Sequence, residues 1–188
     1  MIYYLIASIL IAVAALFART KRAVLAAGIL FYAVQIAAAG LLLWGGLYDT
    51  TSAAFFTFDA LGTLFYLLLV VVSMYVFGHS EAYLQGEDLR SYRLYFALLM
   101  LLTTAIAGAY FANNLAVTWI FLEATTLCSA GIIYHRRTAQ ALEAAWKYVF
   151  VCSTGIAMAY LGILLLAAAT KCETLSYEAV AEAASSGN

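Results

Sequence analysis

Apolar residues fill this chain in long runs separated by short polar connections. A membrane-spanning helix needs about 20 mostly apolar residues. Six runs meet or approach that length: about Ile2 to Ala18, Ala23 to Leu47, Phe55 to Phe77, Leu94 to Phe111, Leu115 to Tyr134 and Leu142 to Ala169. The pattern predicts an all-α, polytopic membrane protein of about six transmembrane helices. Three leading helices occupy residues 1–93, three more occupy 94–170, and 171–188 form a surface tail. In the tail, Leu175, Tyr177 and Val180 alternate with Glu178 and Glu182 before a Ser-Ser-Gly-Asn ending. That predicts a short surface helix followed by a linker, and the ending reads as a cut in a loop. No short fixed period recurs, which argues against a solenoid.

The connections set an orientation. Arg19, Lys21 and Arg22 follow the first run, Arg90 and Arg93 precede the fourth, and Arg136 and Arg137 follow the fifth. The intervening connections carry Asp49 in the stretch Tyr48 to Ala54, no charge at Ala112-Asn113-Asn114, and Lys171 after the sixth run. Basic residues thus lie on alternate sides, seven against one. Glu81, Glu87 and Asp88 count little in this rule. The expectation is an N-terminus outside, three basic connections in the cytoplasm and the tail outside. Met1-Ile2-Tyr3-Tyr4 lacks the basic start of a cleavable signal peptide, so the first run is read as a retained helix. Tyr3, Tyr4, Trp44, Tyr48, Tyr75, Tyr110 and Tyr134 fall near predicted helix ends, as an interfacial aromatic belt does.

Composition agrees: of 188 residues, 66% are hydrophobic and 10% charged, far from a soluble average. Nine Lys and Arg against ten Asp and Glu leave no basic face for nucleic acid. Cys128, Cys152 and Cys172 form no CxxC pair and no Cys/His metal spacing, and read as small packing residues. No nucleophile constellation, metal cluster or nucleotide loop appears, so no cofactor and no self-contained active site are expected. Proline is absent.

Within the runs, ionisable residues stand out by their rarity. Glu123 lies about 13 Å from the outer end of the fifth helix, near the midplane. A carboxylate there costs at least about 2.5–3.5 kcal/mol on insertion scales, so it must be protonated, paired or hydrated. Burial favours a neutral carboxyl and a nearby cation favours a charged one; a carboxyl held between these influences takes up and releases protons. Lys147 lies about 8 Å into the sixth helix. It can snorkel to the interface, but Glu143 four residues earlier is an i,i+4 partner in the favourable order. Ser153 and Thr154 on the sixth helix, and Thr125, Thr126 and Ser129 on the fifth, could line a hydrated path. Glu123, Lys147 and Glu143 are therefore the candidate proton-relay residues, although Glu143 also suits a helix start. Asp59 fits either a cap or a relay. His79 and His135, at cytoplasmic helix ends, are relay candidates for which a solvated role is the simpler reading. Gly108, Gly131, Gly155 and Gly162 are expected to permit close helix packing.

These residues carry a resemblance. Asn113-Asn114-Leu115, Trp119, Glu123-Ala124-Thr125-Thr126-Leu127, Leu142-Glu143-Ala144-Ala145-Trp146-Lys147-Tyr148, Cys152-Ser153 and Gly155-Ile156-Ala157 resemble the antiporter-like, proton-translocating membrane subunits. Those occur in respiratory complex I, in multisubunit cation/proton antiporters and in group 4 membrane-bound nickel–iron hydrogenases. The wording is most similar to the formate-hydrogenlyase type, and Phe58-Asp59 also resembles the start of that family's third helix. The resemblance implies a fold of about fourteen helices, two inverted repeats of five after three leading helices. This chain matches only its N-terminal part. It implies that Glu123 and Lys147 belong to a central axis of Glu, Lys and His through which protons cross. It further implies membrane-subunit partners in a redox complex, and the inner (plasma) membrane of a prokaryotic cell. The family's proline-broken helices lie beyond this chain's end. Two alternatives remain: a subunit of a sodium/proton antiporter, and a structural scaffold in which Glu123 and Lys147 only pair across helices.

Overall fold

A computed structural model of the chain describes residues 2–44, 55–170 and 175–186. Its elements in order are α1 (Ile2–Leu16), α2 (Lys21–Trp44), α3 (Ala60–Tyr83), α4 (Leu89–Phe111), α5 (Leu115–Ile133), a 3-10 turn (Tyr134–Arg136), α6 (Ala139–Thr170) and α7 (Tyr177–Ser186). The described residues hold no strand, only two isolated bridges, Phe56 with Ala112 and Asn114 with Ser176.

Short polar side chains set the helix starts. Asp59 caps α3 through Gly62 N (3.2 Å), Asp88 caps α4 through Arg90 N (3.3 Å), and Thr138 Oγ1 accepts from Ala141 N (3.0 Å) at the start of α6. Asn114 caps α5, its Oδ1 accepting from Ala116 N at 2.9 Å. Each satisfies an amide that the helix itself leaves unpaired. These caps place boundaries that hydropathy alone misses. Helix α3 begins at Ala60 rather than Phe55 and continues past Phe77 to Tyr83. Helix α4 begins before Leu94, with Arg90 and Arg93 already helical.

Five helices, α2 to α6, are long and apolar enough to cross a membrane. The expected sixth is shorter: α1 has 15 residues, about 22 Å, less than a hydrocarbon core of about 30 Å. Helix α4 is the hub, packing against α1, α2, α3 and α5. Its buried face includes Phe96, Met100, Ala107 and Phe111. Around it Phe77 meets Phe96 edge-on at 4.8 Å, and Tyr66 meets Phe111 at 5.5 Å.

The three basic connections meet at one end of the bundle. Lys21 Nζ donates to Glu87 O (2.6 Å), Arg93 Nη1 to Ala18 O (3.5 Å), and Arg136 Nε pairs with Glu87 Oε1 (3.1 Å). At the opposite end the α4–α5 corner is pinned by Thr57 N to Phe111 O (2.9 Å), Asn113 N to Phe55 O (2.8 Å) and Leu115 N to Leu175 O (2.9 Å). Tyr48, Asp49, Lys171, Cys172, Thr174 and the Gly187-Asn188 ending lie outside the described residues.

Two expectations about packing change. Tyr3 and Trp44 are exposed at helix ends; Tyr75 is exposed too, but eight residues inside the end of α3, and Tyr4 turns inward. Its hydroxyl donates to Gln35 Oε1 (2.5 Å), which also accepts from Tyr66 (2.7 Å). Gln35 is fully buried, and a buried amide in an apolar bundle draws hydroxyls to itself because they have no water to bond. Among the glycines, Gly108 lies against the Phe121 ring and Gly131 against Leu98, but Gly155 and Gly162 face open space. The tightest approach is at Gly28, where a Cβ would collide with the Phe77 ring. That ring is held between Tyr32 and Phe96. Gly28→Leu is expected to cost about 1–3 kcal/mol through overpacking, read as a clear drop in thermal midpoint in detergent. Gly40→Leu, at a position open to its surroundings, is the control and should leave the midpoint unchanged.

Candidate functional site

Helix α5 starts at its Asn114 cap and brings Glu123 eight positions in, about 12 Å along the axis. The side chain is half-buried against α6. Ser153 Oγ donates to Glu123 Oε1 at 2.8 Å. Four residues nearer the cap, Trp119 Nε1 donates to Ile156 O (3.0 Å) and its ring lies 4.4 Å from Tyr160. The α5–α6 seam is thus tied by an indole and by a carboxyl–hydroxyl contact, and α7 closes its end through Thr118 and Tyr177 hydroxyls 2.9 Å apart.

Lys147 is not part of that seam. Its Nζ pairs with Glu143 Oε1 at 2.6 Å, with side chains 72% and 65% exposed. The separation follows from helix geometry. Lys147 precedes Ser153 by six residues, about 9 Å of rise and about 120° around α6, so it cannot point where Ser153 points. Helix α6 starts at Ala139 rather than Leu142, so Lys147 stands eight positions, about 12 Å, from the helix start. Glu143, Lys147, Phe150, Thr154 and Met158 share one uncovered stripe of α6. Three of the other hydroxyls bond to their own helices: Thr125 and Thr126 to Leu122 O, and Thr154 to Phe150 O.

The other candidates separate. Asp59 is exposed and caps α3. His79 is exposed, with its ring 6.4 Å from Tyr75. His135 is only 7% exposed, which corrects the solvated reading: the 3-10 turn tucks its ring against Tyr95 and Tyr83. Beside it Arg136 pairs with Glu87 and lies 5.1 Å over the Tyr83 ring. Cys128 and Cys152 are free thiols. Among the described residues no three His, Cys, Asp or Glu side chains gather as a metal site. Sequence reasoning missed the Tyr4–Gln35–Tyr66 cluster, although a lone amide within the second apolar run was the available signal.

No protein-family model matches the chain. Over 118 residues it is 30% identical to the hydrogenase-4 component F homolog of Methylacidiphilum infernorum (isolate V4), covering 60% of this chain. The chain spans about a quarter (25%) of that relative's length. This similarity supports the superfamily of membrane-bound hydrogenase and antiporter-like subunits. With five helices able to span a bilayer, the chain is an integral membrane protein.

Proposed function

We propose that this chain is part of a proton-translocating membrane subunit of a hydrogenase-like redox complex, and that Glu123 carries the proton at the α5–α6 seam. The observation that supports this best is the Ser153–Glu123 hydrogen bond. A hydroxyl both donates and accepts. Ser153 can donate to the carboxylate and accept from the carboxylic acid, so the site keeps a partner in either state. A cation in that place would instead hold the carboxyl ionised. Glu143 and Lys147 form a second station: a proton on Glu143 releases Lys147, and its loss recaptures it. The basic end of the bundle is assigned to the cytoplasm, which puts the N-terminus outside, and the membrane to the inner membrane of a prokaryotic cell. Residues 1–93 then serve as leading helices and 94–170 as the opening part of a repeat.

The uncovered α6 stripe bears an ion pair, and ionisable residues within membrane segments turn toward protein or water-filled cavities. Further membrane protein is therefore assigned to that face. A redox complex is favoured over a sodium/proton antiporter by the hydrogenase-4 similarity and by formate-hydrogenlyase-like wording around Glu123 and Lys147. The pairing of Lys147 with Glu143 speaks against a scaffold built on a Glu123–Lys147 pair. The test is proton pumping against redox turnover in membranes carrying Glu123→Gln, with complex assembly followed in parallel. Full pumping by an assembled Glu123→Gln complex rejects the proposal.

A further inference from the structure

Trp119 stands four residues before Glu123 on α5, and so on the same face. Its indole Nε1 donates to Ile156 O at 3.0 Å, and its ring lies 4.4 Å from that of Tyr160, tilted by 32°. Ile156 follows Ser153 by one turn of α6 and Tyr160 follows Ile156 by another, so the three share a face. A backbone carbonyl has two lone pairs, and Ile156 O can serve its own helix and the indole together. Two polar contacts therefore cross the seam side by side: Trp119 with Ile156, and Glu123 with Ser153 at 2.8 Å. They are about 6 Å apart along α5.

Apolar packing does little to hold α6 in register at this level. Helix α6 packs on α5, the 3-10 turn and α7. Of its described side chains only that of Ala145 is buried. Ala145 lies eight residues from Ser153, about 12 Å along the helix. Helices in lipid are held together by van der Waals contact and interhelical hydrogen bonds, because lipid tails are as apolar as the side chains. Across so thin a contact the hydrogen bonds set the register. A slip of one residue moves Ser153 by about 1.5 Å and turns it by about 100°, which breaks a 2.8 Å contact. One hydrogen bond alone leaves α6 free to pivot about it. A second, from an indole seated on the Tyr160 ring, removes that freedom.

We infer that Trp119 is a positioning residue for the proton site: its indole sets the register of α6 on α5 and so places Ser153 against Glu123. The inference rests on the proton-carrying reading of Glu123, and names what holds the carboxyl's partner in place. Functional groups need support that holds them to within about 0.5 Å. Trp119 supplies it through α6 and Ser153 rather than by acting on the proton.

The test measures proton pumping per redox turnover in assembled complexes carrying Trp119→Phe, Ser153→Ala, both together, and Glu123→Gln. Trp119→Phe keeps a ring beside Tyr160 and removes the donor. It should slow pumping about three- to tenfold, as loss of one hydrogen bond does, and no more than Ser153→Ala. In the Ser153→Ala background it should change nothing further, because the contact it positions is already gone. In infrared difference spectra, the carboxyl C=O band that Glu123→Gln deletes should move to higher wavenumber in Trp119→Phe and Ser153→Ala alike, as a carbonyl losing a hydrogen bond does. Equal slowing with and without Ser153, or an unmoved band in a slowed complex, overturns the inference, since the indole then serves packing alone. So does normal pumping by Trp119→Phe while Glu123→Gln is dead, which leaves the translocation reading standing. Normal pumping by Glu123→Gln rejects that reading and this inference with it. Should Trp119→Phe prevent assembly, Tyr160→Leu decides, because it unseats the indole and keeps its N–H. Slowing that vanishes in the Ser153→Ala background supports the inference; slowing that persists there, or no slowing, overturns it.

Discussion

Glu123→Gln is expected to abolish proton pumping while leaving the complex assembled. The amide has the carboxyl's shape and still accepts from Ser153 Oγ, so the 2.8 Å contact survives and α5 stays docked on α6. What is lost is the proton-binding group, and the substitution removes a charge rather than stranding one. Proton transfer by a positioned group contributes about 10²–10⁴-fold, so residual pumping should be below detection although redox turnover continues, uncoupled or slowed. Ser153→Ala gives the graded companion. It takes away the carboxyl's partner and leaves the carboxyl, at a cost of about 1.5–3 kcal/mol for a hydrogen bond to a charged group. It should slow pumping without stopping it. The pair of variants separates a chemical role for Glu123 from a packing role. If packing alone mattered, Ser153→Ala would do as much harm as Glu123→Gln.

The second large effect concerns Lys147 and Glu143. Glu143→Gln and Lys147→Met should each lower the yield of assembled complex, and the double substitution should restore most of it. In water an exposed i,i+4 pair contributes only about 0.3–0.5 kcal/mol. Within a membrane a single ionised group costs about 2.5–3.5 kcal/mol, so removing one partner strands the other, whereas removing both strands neither. A double-mutant cycle on detergent-extracted complex measures the difference. Coupling above about 1 kcal/mol places the pair inside protein or membrane. Coupling near zero places it in water and removes it from the proton path. The restored double variant should still pump poorly, because Glu123 keeps its proton site while α6 loses the second station that would exchange protons with it.

Much of this molecule can be read along the chain. A bilayer demands about 20 apolar residues per helix, and that length rule locates α2 to α6 from composition alone. Caps were available too: Asn114 and Asp59 are the residue types that accept from free helix amides. The alternating basic connections were visible as charges before Lys21, Arg93 and Arg136 were seen to converge on Glu87 and Ala18. Glu123 stood out because a carboxyl amid apolar neighbours needs an explanation whatever surrounds it. Helix α1 was harder to place: the chain turns after Leu16, before the expected helix length is reached.

Partnership was decided in three dimensions. Sequence distance brings Glu123 and Lys147 under one heading, but α6 turns about 100° per residue. Six residues therefore rotate Lys147 off the seam and give Glu123 to Ser153. The same holds for His135. Its place at a helix end predicts solvent, but the 3-10 turn folds its ring beneath Tyr95 and Tyr83. Hydropathy records how much a residue dislikes water, and length turns that into a count of helices. Which side chain meets which depends on helix phase and on the packing of neighbouring helices, and these exist only once the chain is folded.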